Sequence, residues 1–326
     1  MLKTAESVSP KHPDKLCDRI SDAILDACLA QDPLARVAIE TMGGHGIVSI
    51  TGELTTTANI SLRQIVQDIV GDHYGIQINI VQQSPEIAQG VDTGGAGDQG
   101  IMVGYACRDN EAMIPQELYL ARNLCKYLYA RQAEDGKTQI TIDADYKIQT
   151  VVASFANVAT PTLQSLIQSW LAGLAWSAEE LAKITIHANP AGEWQLSGFA
   201  ADTGLTGRKL AVDNYGPQIP IGGGAFSGKD ASKVDRSGAY MARKLAVDLL
   251  NEHQDIDEVM VKLAYAIGVA EPVMVSVIMD GQALPYINHD YNLTPQGIIA
   301  YLNLQKPQFA KTAEWGHMGN GFVWDR

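Results

Sequence analysis

The chain has 326 residues, 46% hydrophobic and 19% charged, which describes a globular protein of two or three domains with a sizeable core and excludes a disordered chain. Its 24 basic and 37 acidic side chains leave a net charge of −13, which argues against broad binding to nucleic acid or to an anionic membrane. Any polyanion it takes must therefore meet cations that are concentrated locally, as at 208–209, 229–243 and Lys137. The first residues hold no apolar signal core and no segment approaches a membrane span, so a soluble cytoplasmic protein is expected. Cys17, Cys28, Cys107 and Cys125 show no C-x-x-C spacing and read as buried, reduced thiols.

Residues 12–31 read as an amphipathic helix. Leu16, Ile20, Ile24 and Ala27 recur at helical spacing, Asp18, Asp22 and Asp26 line another face, and Pro13 suits the first turn. Strand-like runs at 36–42 and 47–55 flank Gly43-Gly44-His45-Gly46, a hairpin signature. A helix over 61–72 and a strand over 76–81 follow, then a Gly-rich loop over 89–100 with two carboxylates. A long helix over 115–134 precedes a hairpin of 138–142 with 147–154. Residues 162–183 read as helix with breaks, and 184–187 as a short strand. A helix over 235–252, strands over 259–266 and 273–279 and a short helix over 295–303 complete the order. Hairpins alternating with helices favour α+β layers over a doubly wound parallel sheet.

The densest chemistry lies in Gly222-Gly223-Gly224-Ala225-Phe226-Ser227-Gly228-Lys229-Asp230, followed by Ser232-Lys233-Val234-Asp235-Arg236. Glycines let backbone N–H groups approach an anion and lysines neutralise it. Interleaved aspartates would repel phosphate unless a divalent cation joins it, so the stretch reads as a metal–polyphosphate site. Gly223 to Lys229 fits part of a Walker A loop, but Asp230 stands where a hydroxyl should meet magnesium and Tyr215–Pro220 offers no buried strand. Four weaker constellations accompany it: Ser7 to Lys15 at a helix N-terminus, Gly52-Glu53 at a strand end, Gly95 to Gly100, and Asp202 to Lys209. Taken alone, Gly95 to Gly100 reads equally well as a polar turn, and the other three read better as a cap, an exposed strand end and a solvated pair. Their joint occurrence in this order is far more specific.

Together these stretches, with Ala266-Ile267-Gly268-Val269-Ala270-Glu271-Pro272, closely resemble the S-adenosylmethionine synthase (methionine adenosyltransferase) family across essentially the whole chain. The resemblance implies transfer of the adenosyl group of ATP to the sulfur of L-methionine, with expulsion of tripolyphosphate that is then hydrolysed to diphosphate and phosphate. It implies three similar α+β subdomains round a pseudo-threefold axis, here 1–90, 91–200 and 201–326, with sheets inward at the subunit interface and helices outside. It implies two Mg²⁺ ions, K⁺, and a homodimer with shared active sites, sometimes paired as a tetramer. His12, Lys137, Arg208, Lys229 and Arg236 are implied at the phosphates, beside Lys209, with Ala225 also at ATP. Asp14 and Asp235 are implied on the magnesium side and Glu40 at potassium. Glu53, Gln89 and Lys233 are implied at methionine, Asp202 at amino acid and nucleoside, and Asp98 and Asp135 at the nucleoside.

The chain also departs from that family. It is several tens of residues shorter, with one loss between Asp92 and Gly95, where relatives carry a longer loop over the active site; a shortened cover is expected to exclude water less well. The family's Gly-Arg-Phe is here Gly192-Glu193-Trp194, which keeps an aromatic platform for adenine in Trp194 but reverses the charge beside it. Asp135-Gly136-Lys137 replaces Asp-Ala-Lys, and the tail ends at Arg326 without a helical extension, which favours the dimer over the tetramer. Two other readings remain open at this stage: a tripolyphosphatase or ATPase without adenosyl transfer, and a non-catalytic regulatory subunit.

Overall fold

A computed structural model describes residues 1–83, 94–174, 176–285 and 291–326. The elements run β1 (Lys3–Val8), α1 (Pro13–Leu29), β2 (Arg36–Gly44), β3 (Ile47–Thr55), α2 (Leu62–Val70), β4 (Gly75–Val81) and β5 (Gly100–Cys107). Next come α3 (Gln116–Gln132), β6 (Gly136–Ile142), β7 (Ile148–Phe155), α4 (Thr160–Ala172), α5 (Ala178–Ala182), β8 (Thr185–Ala188) and β9 (Gly204–Leu205). The chain ends with α6 (Leu210–Asp213), α7 (Val234–Glu252), β10 (Glu258–Tyr265), β11 (Met274–Met279), β12 (Gln282–Leu284), α8 (Pro295–Tyr301) and α9 (Thr312–Trp315).

The described strands form three four-stranded sheets, ordered β4-β3-β2-β9, β1-β6-β7-β8 and β12-β11-β10-β5. Pairing is antiparallel except between β3 and β4 and between β7 and β8, so the fold is α+β. Each sheet is completed by a strand distant in sequence. β9 lies along Met42 and Gly43, β1 pairs with β6 over its whole length, and β5 pairs with β10. Three sheets closed in this way cannot be pulled apart as consecutive stretches of chain.

Local chemistry explains most elements. Helix α1 starts at His12, whose ring accepts the Asp14 amide, with Pro13 in the first turn. The stretch expected as helix with breaks is two helices: α4 ends at Gly173, and α5 begins at a Ser177–Glu180 capping box. Gly104 in β5 faces the backbone of Ala242 so closely that a Cβ there would overlap it, which lets α7 lie against the strand. One apolar core runs beneath α1, α7, β2, β3 and β10, and a second fills the space between α3, α4 and the β6–β7 hairpin. All four cysteines are buried and free, and burial pushes the Cys28 thiol up to about 11 and Cys107 to about 12. No helix among the described residues is long and apolar enough to cross a membrane.

The acidic stripe of α1 positions the site. Asp14, Asp18, Asp22 and Asp26 follow one another at every fourth residue, and each accepts backbone N–H groups from another segment. Asp14 takes the Leu205 amide, Asp18 that of Gly207, Asp22 that of Gly228, and Asp26 those of Gln308, Phe309 and Ala310. Buried or half-buried carboxyl oxygens that accept these amides fix the loops onto the helix in register.

Candidate active site

A first group of site residues surrounds the start of α1. Asp14 Oδ2 lies 2.5 Å from Lys209 Nζ, its Oδ1 accepts the Leu205 amide at 2.9 Å, and Arg208 Nε stands 3.6 Å away. Burial alone would push this carboxyl up; the Lys209 ammonium and the Leu205 amide outweigh it and hold the group below its ordinary value. His12 is buried, and its Nδ1 accepts the Asp14 amide at 3.1 Å. Burial first, then Lys209 and Lys137, lowers its pKa to about 3, so the ring is neutral with its proton on Nε2. That N–H is left as a donor for a ligand. Lys137 projects from β6, where it is paired with Val8, and is exposed.

Asp135 and Asp202 complete this group, since both feel Lys137 or His12 electrostatically. Asp135 is buried, accepts the Gly198 amide at 3.0 Å and is pushed up by its burial. Asp202 is exposed and accepts the amide of Thr203. The turn that carries Arg208 and Lys209 is held by hydroxyls: Ser21 Oγ lies 2.9 Å from both Thr41 Oγ1 and Thr206 Oγ1, and Thr206 exchanges bonds with the Thr41 backbone.

A second group centres on Asp235, in the first turn of α7. Its Oδ2 lies 2.8 Å from Lys229 Nζ and its Oδ1 accepts the Gly224 amide at 2.8 Å. Lys233 caps the same helix and pairs with Asp230, which also accepts the Val37 amide. The backbone of Lys229 bridges to Ala38, and Ala38 is paired with Glu53 across the sheet. Glu40 follows two residues after Ala38, so Glu40 and Glu53 share one outward sheet face. Ala225 packs against Gly207, where any Cβ would overlap it, so the two cation-bearing loops touch. No strand precedes this loop and α7 begins five residues after Lys229, so it is not a P-loop.

Some expected residues stand elsewhere. Arg236 meets the phosphate loop only at the Lys229 carbonyl; it is fully buried, bidentate to Asp22 at 2.7 and 2.9 Å. Asp98 is exposed and accepts the neighbouring Gln99 amide, with no described bond to either group. Trp194 is half-buried, and its carbonyl accepts the Asn157 amide. Gln89 and the shortened loop lie outside the described residues. The sequence put Lys15 in the constellation at the helix start and Asp18 and Asp22 on a separate helix face, and gave Asp213 no part; all four are buried beneath the site. The every-fourth spacing of aspartates is visible in the sequence; that it faces loop amides depends on distant segments.

Sequence models for the N-terminal, central and C-terminal domains of S-adenosylmethionine synthetase match residues 1–86, 93–194 and 196–326. The chain belongs to the S-adenosylmethionine synthetase family. It is 39% identical to the S-adenosylmethionine synthase of Wolinella succinogenes over 368 aligned positions, which take in 100% of this chain and 95% of the relative. It is 40% identical to the synthase of Salinibacter ruber, covering 99% of this chain and 95% of that one, and 38% identical to that of Petrotoga mobilis, covering 100% and 96%.

Within this family-like framework Glu193 has a local structural task. Its Oε1 accepts the Thr160 amide at 2.8 Å, at the N-terminus of α4, where Ala159 supplies no side-chain cap. Glu193→Ala should therefore cost about 1 kcal/mol of stability, the ordinary worth of a helix cap, with the adenosyl-transfer rate unchanged. Urea denaturation beside a steady-state assay measures both.

Proposed function

We propose that the protein is a methionine adenosyltransferase that makes S-adenosylmethionine from ATP and L-methionine. The match of all three family domains over the chain carries this reading. The two lysine–carboxylate groups on glycine-rich loops support it, because they concentrate cations in a chain of net charge −13. The thioether sulfur attacks C5′ of the ribose and forms the sulfonium as the C5′–O bond breaks and tripolyphosphate leaves. A neutral sulfur needs no general base. The barrier lies in the charge that develops on the leaving group, so catalysis rests on positioning and charge stabilisation.

In this reading His12 Nε2–H, Lys137, Arg208, Lys209 and Lys229 receive the phosphates. Trp194 offers its face to adenine, with Asp98, Asp135 and Asp202 at the nucleoside, and Glu53, Gln89, Asp202 and Lys233 bind methionine. Asp14 and Asp235 would hold Mg²⁺, which supplies further charge neutralisation when bound. They suit it in kind: each is a single carboxylate beside a lysine of a cationic loop, and magnesium characteristically takes one or two carboxylates plus substrate phosphates. Glu40, exposed on the outward face of β2, is the candidate for K⁺. Exposed Met42, Ile101 and Met274 on the sheets favour a homodimer with shared sites.

Incubation of the purified protein with ATP, Mg²⁺ and K⁺, with and without methionine, tests the reading. S-adenosylmethionine, diphosphate and phosphate should appear only with methionine. Phosphate release indifferent to methionine, without a sulfonium product, would make the protein a polyphosphate hydrolase instead.

A further inference from the structure

Arg236 has five N–H groups, and the protein occupies all of them. Nη1 donates to Asp22 Oδ1 at 2.7 Å and to the Lys229 carbonyl at 3.0 Å. Nη2 donates to Asp22 Oδ2 at 2.9 Å and to Thr312 Oγ1 at 3.2 Å, and Nε donates to Tyr240 Oη at 3.0 Å. The guanidinium also lies 4.2 Å from the centre of the Phe309 ring, and the side chain has no exposed surface. A group so enclosed has no donor left for a phosphate.

Its partners are telling. Asp22 Oδ1 also accepts the Gly228 amide at 2.9 Å, and the Gly228 carbonyl accepts the Ile39 amide at 3.0 Å. Gly228 has φ +81, and a Cβ there would overlap the Ile39 carbonyl, so this approach requires glycine. The residue that carries the Lys229 side chain is thus held on one side through the Gly228 amide and on the other through its own carbonyl. Arg236 in turn follows Asp235 directly in α7, the helix that carries the partner of Lys229. One buried pair therefore clamps both halves of the Lys229–Asp235 unit onto α1.

We propose that Asp22 and Arg236 are positioning residues for adenosyl transfer, acting through Lys229 and Asp235 without touching substrate. The proposal rests on the assignment of Lys229 to the phosphates. Tyr240 extends the clamp, because its ring stacks on Trp324 at 3.8 Å and its hydroxyl lies 2.8 Å from His317 Nδ1, so the last turn of the chain buttresses the guanidinium.

Kinetic double-mutant cycles test this. Arg236→Lys keeps the charge and loses the fork; a displacement of the lysine by about 1 Å should lower kcat by about 100-fold per folded enzyme. In a Lys229→Met background the same substitution should change kcat by less than about threefold, because the group it positions is gone. Tyr240→Phe removes a single acceptor and carries the same comparison, with a drop of about threefold to tenfold, should Arg236→Lys not fold. Equal losses in both backgrounds would mean that the pair only stabilises the fold, and would overturn the proposal while leaving Lys229 at the site. A Lys229→Met enzyme with full activity would overturn the assignment of Lys229, and the proposal with it.

Discussion

Replacing Lys209 by methionine should lower kcat by about 100-fold to 1,000-fold, the usual effect of removing one preorganised donor from a developing anion. The lysine is aimed by its 2.5 Å contact with Asp14, which the Leu205 amide holds from the other side. A second effect is on stability. The variant leaves buried Asp14 with only the more exposed Arg208, 3.6 Å away, as its cation, so the loss should approach but not exceed the roughly 3–5 kcal/mol of a fully broken buried pair. In the native protein the folded pKa of Asp14 is lowered, so the pair's contribution is present above the ordinary carboxylate value and lost as pH falls through the folded one. In the variant burial is no longer outweighed, and the pKa rises. The stability deficit should then be largest at pH 8 and shrink toward pH 5, as urea denaturation at both values would show. A kcat within threefold of the native enzyme would remove Lys209 from the leaving-group machinery. His12 should stay neutral throughout, because burial is the first cause of its low pKa and Lys209 only the second.

Much of the site could be read from the chain because its chemistry is local. A glycine loop carrying Lys229, Lys233 and Asp235 states its purpose within fifteen positions, and Asp202 to Lys209 within eight. The cations themselves are less legible. Lys229 and Arg236 belong to one run of sequence, yet one keeps 19% of its side chain exposed beside a carboxylate and the other is fully buried on Asp22. Arg243 is enclosed in the same way, donating to the carbonyls of Tyr105, Ala112 and Met113 and pairing with Asp325. What separates these outcomes is the packing of α7 on β5 and β10 and the reach of Arg236 to Asp22 of α1, which no local pattern contains.

The fold divides along similar lines. Helix α1 and the β2–β3 hairpin follow from period and turn chemistry. β1 was not legible as a strand, since Lys3-Thr4-Ala5-Glu6-Ser7-Val8 buries only Ala5, Ser7 and Val8 and has no apolar alternation. Its pairing with β6 spans more than a hundred residues, and so does that of β5 with β10. Such register is set by the whole fold.

Lys15→Met should be the most damaging single change to the fold. The ammonium is buried between two carboxylates, 2.5 Å from Asp213 Oδ2 and 3.3 Å from Asp18 Oδ2. Removing it costs about 3–5 kcal/mol, a large share of the roughly 5–15 kcal/mol that holds an ordinary domain together. Asp18 shows why this unit is finely balanced. Burial pushes its pKa up to about 7, against the opposing pull of Lys15 and the Gly207 amide, with Asp213 and Asp22 adding to the rise. A carboxyl whose folded pKa is raised contributes stability that is fully present below its ordinary value near 4 and lost as pH rises toward 7. Asp18→Asn imitates the protonated acid and keeps an acceptor for Gly207. Its stability relative to the native protein should therefore climb by about 1 kcal/mol per pH unit between pH 4 and 7 and level off above. Urea titrations at pH 4, 5.5, 7 and 8 resolve that slope; a pH-independent difference would mean that Lys15 holds Asp18 ionised throughout. Because the Gly207 contact survives, kcat at pH 8 should stay within a few-fold, which separates the charge of Asp18 from its grip on the loop that carries Arg208 and Lys209.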